Sequence, residues 1–398
     1  MKTLGIITEY NPFHNGHKYH LEKSKEMSNS DTVICIMSGH FLQRGTPAIM
    51  DKWTRTKNAI ENGVDLVIEL PTVYSMNSAE FFAKGAIEIL NSLNIVNTLS
   101  FGSENGNIEP FLKIGKIFAD EPEEFKSLLK KHLNEGIVFP KARELALKEY
   151  LGEISIINSK PNNILGIEYS KAIFSTSSNI ELKTITRTSN DYHDNTLTGN
   201  ISSATAIRNA IRNNINFDNI KNSIPKSTYD SFIENKADLV FRDDFENLIF
   251  YKIRSMNLNE LKNIHDITEG LENRIKKASM ETETLEELIL KIKTKRYTYT
   301  RIQRILFKIL LDIKKDYIYH SPRYIRVLGF NKKGQNLIKQ INEKSDIPVI
   351  TNLKNYIPQD EISKMMIDTD IRATNIYQII KNKKTGNLDY LNKPVIIK

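Results

Sequence analysis

Two histidines separated by Asn15 and Gly16 mark the first step from strand to helix, and they constrain the fold more than any other feature of the sequence. The apolar residues 4–7 predict a strand, a turn follows, and a helix begins near His17. Residues three apart share one face of a helix, so His14 and His17 are expected to point the same way. Gly16 leaves room for a phosphate at the helix N-terminus, where backbone N–H groups and the helix dipole favour anions.

This pattern is typical of a site for adenylyl transfer. Imidazole N–H groups can donate hydrogen bonds to the charge that develops on an α- or β-phosphate in the transition state. We therefore predict attack on the α-phosphate of a nucleotide, with pyrophosphate as the leaving group. The alternative is structural, because a short string of this kind occurs by chance and two histidines can simply cap a helix.

A second motif, residues 201–208, predicts a hydroxyl-rich turn that runs into a helix. Ser202, Ser203 and Thr205 can accept hydrogen bonds from the first free N–H groups of that helix. Arg208, one turn inside, can hold phosphate oxygens through two hydrogen bonds. An ordinary helix cap would explain this motif on its own. The two motifs together, in this order, favour a shared nucleotide site in which His14, His17 and Arg208 are catalytic.

The first half of the sequence alternates strand-like and helix-like segments, which predicts a parallel sheet with helices on both faces. Strands are expected at residues 4–8, 32–37, 66–70, 98–101 and 180–185. Ligands bind at the carboxyl ends of the strands in such folds. The segments that follow the strands are therefore candidate binding loops, and they include 8–17, the glycine-bounded segment 39–45 and 102–104.

After residue 215 the sequence changes to long, lysine-rich segments with helical spacing, followed by a small α/β unit that begins near residue 324. The net charge is +8, and residues 216–398 carry 33 Lys and Arg against 24 Asp and Glu, so the whole excess lies in this half. An uneven distribution of this kind favours a polyanionic partner. A lysine-rich proteome with solvated helix faces is the alternative.

Longer strings give a resemblance to a known family. Together with the two motifs, they resemble the bacterial tRNA(Met) cytidine acetate ligases, within the superfamily of HIGH-type nucleotidyltransferases. The resemblance is dense up to about residue 215 and looser at 324–330. It lies in residues 5–17, 37–45, 51–55, 101–104, 161–169, 187, 192–194 and 201–208.

The resemblance implies both a fold and a reaction. The fold would be a Rossmann-like, doubly wound parallel sheet, with an ATP-binding nucleotidyltransferase-like catalytic domain at 1–215 and a basic, mainly helical tRNA-binding region at 216–398. The reaction would activate acetate as acetyl-adenylate and acetylate N4 of the wobble cytidine (C34) of elongator tRNA(Met). The product would be N4-acetylcytidine, and Mg²⁺ would enter with ATP.

The predicted ATP contacts combine the two motifs with positions that the resemblance implies. They are Ile7, Thr8, Glu9, Tyr10, Asn11, Pro12, Phe13, His14, Asn15, Gly16, His17, Lys18, Tyr19, His20, Gly102, Asn163, Arg187, Ser202, Ser203 and Thr205. For Arg187 the alternative is a structural salt bridge. His193 with Asp191 and Asp194 could suggest a metal site, but three close ligands on a loop are seldom enough, so no protein metal site is predicted.

The predicted tRNA contacts lie in a basic segment with tyrosines: Arg296, Tyr297, Tyr299, Arg301 and Arg304. Basic groups can neutralise phosphates, and a tyrosine ring can stack on an unpaired base. The alternative is that these side chains only solvate the outer face of the following helix.

The composition, with 40% apolar and 26% charged residues, is that of an ordinary water-soluble globular protein. No stretch approaches the roughly 20 apolar residues of a membrane helix. Cys35 is the only cysteine, which excludes an internal disulfide and favours a cytoplasmic protein. Two other functions share these motifs: a metabolic nucleotidyltransferase that makes a dinucleotide or CDP-linked cofactor, and a non-catalytic RNA-binding protein.

Overall fold

The computed structural model describes residues 1–104, 106–152, 161–187, 197, 199–213, 217–382 and 384–398. Its strands are β1 (Thr3–Thr8), β2 (Thr32–Ser38), β3 (Leu66–Leu70), β4 (Thr98–Ser103), β5 (Glu181–Thr186), β6 (Ile325–Phe330), β7 (Val349–Ile350) and β8 (Val395–Ile396). Five of these strands lie where the alternating pattern predicts them.

The helices cover both faces of the sheet and build the region that follows it. In the first half they are α1 (Asn15–Ser28), α2 (Lys52–Glu61), α3 (Thr72–Ser75), α4 (Ala79–Ser92), α5 (Glu109–Asp120), α6 (Glu123–Asn134), α7 (Phe139–Leu151), α8 (Pro161–Ser175) and α9 (Ala204–Arg212). In the second half they are α10 (Lys226–Glu234), α11 (Glu246–Ser255), α12 (Leu258–Lys262), α13 (Leu271–Met280), α14 (Leu285–Ile292), α15 (Tyr299–Leu310), α16 (Lys332–Lys344), α17 (Glu361–Ile380) and α18 (Leu388–Leu391).

The sheet has the order β5-β4-β1-β2-β3-β6-β7, and β8 also pairs with β6. Strands β1 to β5 pair with one another in parallel, which confirms the predicted doubly wound arrangement. The chain leaves β1 for β2 on one side and later returns to place β4 on the other. The crevice at the carboxyl end of β1 is therefore a topological switch point, where ligands of such folds bind.

Burial on both faces explains why β2 forms a central strand. All of its residues are buried, and successive side chains point to opposite faces of the sheet. Ile34 and Ile36 join the core on one face, whereas Val33, Cys35 and Met37 join the core on the other. This continuous apolar run is expected of a strand with helices on both sides.

The C-terminal strands extend the main sheet. Strand β6 pairs antiparallel with β3, and β7 and β8 are parallel to β6, so the small α/β unit expected near residue 324 continues the same sheet. The helices α11 to α15 form a second core, which also takes in Phe41 from the loop after β2. The domain boundary near residue 215 stays a prediction.

A buried ionic network joins the end of the chain to the centre of the sheet. The Nζ of Lys52 lies 2.7 Å from Glu69 Oε1 and 2.8 Å from Asp389 Oδ1. Arg326 Nη2 donates to the same Asp389 oxygen at 2.7 Å. Two cations therefore face two carboxylates out of contact with water, which fixes α18 against β3 and β6.

Within the described ranges, no helix is long and apolar enough to span a membrane.

Candidate active site

A cavity of about 510 Å³ opens at the carboxyl ends of β1, β4 and β5. The turn after β1 forms one side of it, and Tyr10 in that turn adopts a left-handed backbone with φ of +44°. Because the switch point of the sheet lies here, segments that are distant in sequence meet around one space. Apolar groups that include Phe82, Phe101, Leu165 and Tyr169 line part of its wall.

His14 and His17 lie together at the start of α1. His14 is the N-cap residue, and its Nδ1 accepts a hydrogen bond from the Gly16 N–H at 3.0 Å. The Nδ1 of His17 accepts from the His14 N–H at 3.4 Å. With Nδ1 of His14 acting as an acceptor, its proton must be on Nε2. Nε2 of His14 is therefore the atom that can donate to a ligand oxygen.

Both imidazoles are neutral at physiological pH. Burial, with the positive charges of Arg187 and Arg208, lowers the pKa of His14 to about 3. Burial and the neighbouring His14 and Arg187 also lower the pKa of His17 well below its ordinary value, although a hydrogen bond to the Pro12 backbone opposes the shift. His14 can thus donate a hydrogen bond from Nε2 to an anion without first carrying charge, while the neutral ring of His17 packs against it.

Arg208 is held at the same place by the helix that the second motif forms. Ser203 caps α9 by accepting from the Ala206 N–H at 3.0 Å. One turn on, Arg208 donates to the Asn11 carbonyl at 2.6 Å and to Thr205 Oγ1 at 3.1 Å. The two sequence motifs therefore meet, because Arg208 bridges α9 and the turn that leads into His14.

Arg187 approaches the cavity over a glycine. A Cβ on Gly102 would lie 3.2 Å from the Cγ of Arg187 and 3.8 Å from the His20 ring. The absence of a side chain at this position lets the guanidinium stem cross the end of β4. Burial, together with Arg187, also lowers the pKa of His20 to about 4. A third neutral imidazole therefore lines the cavity.

Most of the predicted ATP contacts line this cavity. They are Ile7, Thr8, Glu9, Tyr10, Asn11, His14, Gly16, His17, Tyr19, His20, Gly102, Arg187, Ser203 and Thr205, joined by the predicted catalytic residue Arg208. These residues line one cavity because each lies at the carboxyl end of a strand, in the loop after it, or in the first two turns of a helix at the switch point.

Three of the other predicted ATP contacts, Pro12, Phe13 and Asn15, lie behind the cavity wall and support it. Phe13 is fully buried in the core beside Pro12, which is also buried. Asn15 donates to the carbonyls of Asn200 and Asn222 at 2.9 and 2.8 Å. These contacts tie α1 to the segments on either side of α9.

Three further predicted contacts also lie off the cavity wall. Ser202 is buried, with its hydroxyl 2.9 Å from that of Ser223. Lys18 is exposed near Glu22. Asn163 accepts from the Glu104 N–H at 3.4 Å, and its neighbour Asn162 lines the cavity in its place.

Sequence reasoning missed one side of the cavity. Thr300 and Arg304, at the start of α15, line it together with residues of the loop after β2. Gln43 and Arg44 of that loop belong to the segment predicted to cover the strand ends, and the Gln43 N–H donates to Glu9 Oε1 at 2.7 Å. The two glycines that bound this loop predict it from the sequence. No sequence pattern predicts that the loop contacts α15.

The predicted tRNA contacts lie in different surroundings. Arg304 lines the nucleotide cavity, whereas Arg296 is exposed and paired with Glu269. Tyr297 is only 8% exposed and Arg301 lies over its ring at 4.8 Å, so burial in the second core opposes the predicted base stacking.

Tyr299, the remaining predicted tRNA contact, donates a hydrogen bond from its hydroxyl to Glu286 at 2.5 Å and so ties α15 to α14.

Asp191, His193 and Asp194, the residues considered for a metal site, lie outside the described residues. Within the described ranges, no group of three or more His, Cys, Asp and Glu side chains is placed to hold a metal ion.

Comparisons with known proteins agree with this architecture. A sequence model described as HIGH Nucleotidyl Transferase matches residues 1–390. The tRNA(Met) cytidine acetate ligase of Alkaliphilus metalliredigens is 45% identical, over 99% of this chain and 98% of the relative. The protein of that name from Acetivibrio thermocellus is 46% identical, over 95% and 94% of the two chains.

This chain belongs to the bacterial tRNA(Met) cytidine acetate ligase family of HIGH-type nucleotidyl transferases. Its fold is similar to the crystal structure of Thermotoga maritima TmcAL, with a TM-score of 0.95, 33% identity and full coverage of both chains. A second structure of the Thermotoga protein, bound with alpha-thio ATP, has a TM-score of 0.93. The family and the predicted fold are thereby confirmed.

Proposed function

We propose that this protein is an ATP-dependent ligase that acetylates N4 of the wobble cytidine (C34) of elongator tRNA(Met), by way of acetyl-adenylate. The observation that carries the proposal is the meeting of His14, His17, Arg187 and Arg208 in one cavity at the switch point of the sheet. Such a cluster of donors and cations suits a triphosphate. The two relatives that carry the name of this ligase align with 99% and 95% of the chain.

The first step joins acetate to the α-phosphate of ATP. A carboxylate oxygen attacks the α-phosphorus, the bond from that phosphorus to the bridging oxygen breaks, and pyrophosphate leaves with the electron pair. The His14 Nε2–H, the positive end of the α1 dipole and the guanidinium groups of Arg187 and Arg208 stabilise the developing charge. Because both imidazoles are neutral, they contribute as aligned dipoles and do not give up a proton.

The second step transfers the acetyl group. The N4 amine of the cytidine attacks the carbonyl carbon, the carbon–oxygen bond to the adenylate breaks, and AMP leaves while N4 loses one proton. Neither step needs a covalent bond to the protein. The main contribution of the cavity is to hold the two reactants in line, which converts a bimolecular reaction into an effectively intramolecular one.

The accompanying ion and compartment follow from the proposed substrates. Glu9 is the one carboxylate among the described residues that line the cavity. We therefore infer that Mg²⁺ enters as its ATP complex and is held largely by phosphate oxygens and water.

Because the proposed substrate is a tRNA, we infer that the reaction takes place in the cytoplasm. The basic region 216–398 supplies cations for the tRNA phosphates.

The test uses the purified protein with ATP, Mg²⁺, radiolabelled acetate and total bacterial tRNA, followed by digestion and nucleoside analysis. Label in N4-acetylcytidine, dependent on ATP, is the expected result. Acetate-dependent release of pyrophosphate without label in tRNA would contradict the proposed acceptor. Absence of both signals would contradict the ligase reaction and favour a metabolic nucleotidyltransferase or a non-catalytic RNA-binding protein.

A further inference from the structure

We propose that Arg304 and Arg301, with Arg44, form a phosphodiester-binding site at the mouth of the cavity, which positions the acceptor cytidine by holding the phosphate beside it. This inference rests on the proposed function and adds to it the residues that bring the tRNA strand to the nucleotide cavity. Arg304 belongs to the cavity wall, and Arg301 is one turn of α15 away from it.

The start of α15 is fixed against the loop after β2. Gly45 has φ of +71°, and a Cβ at this position would lie 2.5 Å from the Cα of Arg304. Gln303 Nε2 donates to the Arg44 carbonyl at 2.7 Å. The backbone of the helix therefore touches the backbone of the loop, and Arg304 cannot move away from the cavity without breaking this contact.

Arg304 holds a buried donor that calls for an anion. Its Nε is buried, and no atom of the described residues accepts a hydrogen bond from it. An unsatisfied buried donor is costly, more so when it belongs to a charged group. Burial lowers the pKa of Arg304, the charge of Asp266 opposes this shift, and the charges of Arg301 and Arg44 add to it, which indicates that the three guanidinium groups lie near one another. A phosphate oxygen would satisfy the donor and relieve the repulsion.

The neighbouring charges do not neutralise this part of the helix. Asp266 Oδ2 lies 2.7 Å from the buried Nζ of Lys308, and Asp266 Oδ1 is 3.7 Å from Arg301 Nη2. Burial and the charge of Lys308 lower the pKa of His265 to about 4, so this ring is neutral. The single carboxylate is already engaged by Lys308. Its charge also acts on Arg304, so this one carboxylate is shared by Lys308, Arg301 and Arg304 and leaves the group with a net positive charge.

The position of these groups favours a phosphodiester over the other two anions of the reaction. His14, Arg187 and Arg208 supply the donors for the triphosphate at the ends of β1 and β4, on another part of the cavity wall. Acetate carries one charge and reacts beside the α-phosphate. Arg301 and Arg304 are partly exposed, so they can reach an anion that extends outside the cavity. An arginine guanidinium group can donate two parallel hydrogen bonds to phosphate oxygens. Such contacts fix the position of a nucleic-acid strand on the protein.

The experiment compares Arg304→Gln and Arg301→Gln with Lys126→Gln. The control also removes one positive charge, at an exposed residue of α6 that is paired with Glu123 and lies outside the cavity and the basic region. We expect the KM for tRNA to rise about tenfold in Arg304→Gln and its salt dependence to become shallower, with little change in the control. Acetate-dependent ATP–pyrophosphate exchange, measured without tRNA, should stay within about twofold of wild type because the triphosphate site is intact.

Two outcomes would overturn the inference. One is an unchanged KM for tRNA in both Arg304→Gln and Arg301→Gln, and the other is a raised KM for acetate or ATP in the exchange assay. Arg304→Lys keeps the positive charge but loses the two-pronged guanidinium group, and the melting temperature of each variant shows whether it is folded. If Arg304→Gln does not fold, the KM for tRNA of Arg301→Gln tests the inference instead. Failure of the proposed function is distinguishable, because wild-type protein would then leave tRNA unacetylated.

Discussion

The imidazole rings of His14 and His17 stack with their centroids 3.7 Å apart and 24° between their planes. The stacking follows from a reciprocal helix cap, in which each ring accepts a backbone N–H hydrogen bond at the start of α1. Both rings are therefore fixed before any nucleotide arrives. Groups that need no rearrangement during the reaction are the ones that stabilise developing charge most effectively.

His14→Asn tests the role of this pair in adenylation. Asparagine can still cap α1 but lacks the Nε2–H donor, so we expect acetate-dependent ATP–pyrophosphate exchange to fall about 100-fold with folding retained. His17→Asn should also lower the exchange rate, because it removes the ring that stacks on His14. Filter binding of tRNA is the control, and its affinity should stay near that of wild type. An exchange rate equal to wild type in either variant would exclude the assigned role.

Protonation of His14 predicts how stability depends on pH. Because the folded protein holds the pKa of His14 at about 3, well below its unfolded value near 6.5, the unfolded chain binds the proton first as pH falls. The stability is intact above about pH 6.5 and declines toward pH 3, by up to about 1.4 kcal/mol per pH unit for this group. When the unfolding free energy is measured by urea denaturation across this pH range, it should decline less steeply with falling pH in His14→Asn than in wild type. Identical slopes would mean that His14 is protonated equally in both states.

Gly45→Ala tests the contact between the loop after β2 and α15. The new Cβ would meet backbone atoms of Arg304, in addition to the strain of a positive φ. Gly136→Ala is a matched control, because Gly136 also has a positive φ, of +79°, but nothing within 4 Å. We expect the control to lose about 1 kcal/mol of unfolding free energy and Gly45→Ala to lose clearly more. Equal losses would show that the loop yields without affecting the helix.

Asp389→Asn tests the buried ionic network. Burial raises the pKa of the Asp389 carboxyl, but Lys52 and Arg326 outweigh it, so the pKa lies below its ordinary value. Among the described residues, removing this charge leaves Glu69 as the only carboxylate in direct ion-pair contact with the two buried cations, and we expect a loss of about 3–5 kcal/mol in unfolding free energy. Asp230→Asn, which breaks the exposed pair with Lys226, should change it by less than about 1 kcal/mol. Similar small effects would show that water reaches the network.

The sequence predicted best those features whose signals lie in neighbouring residues. The step from β1 to α1 could be predicted because an apolar strand, a turn and a capping residue follow one another directly, although the helix begins at Asn15, slightly before its predicted start. The loop after β2 and the cap of α9 could be placed at the strand ends for the same reason. In each case, the topology of a parallel sheet brings the local signals to one edge.

Features that depend on tertiary docking could not be predicted. Arg304 resembles any surface arginine of an amphipathic helix, and only the close approach of α15 to Gly45 brings it to the cavity. Tyr297 looked available for stacking, yet it is buried under Arg301. The antiparallel addition of β6 to β3 also needs knowledge of the folded sheet, since the strand pattern itself carries no direction.

Transfer of oxygen from acetate to AMP tests the central claim most directly. Wild-type protein would be incubated with tRNA, ATP and acetate labelled with ¹⁸O at both oxygens, and the AMP would be analysed by mass spectrometry. If acetate attacks the α-phosphate and the cytidine amine then attacks the carbonyl carbon, one labelled oxygen remains on each AMP. AMP without the label, formed while the tRNA becomes acetylated, would contradict acetyl-adenylate as the intermediate.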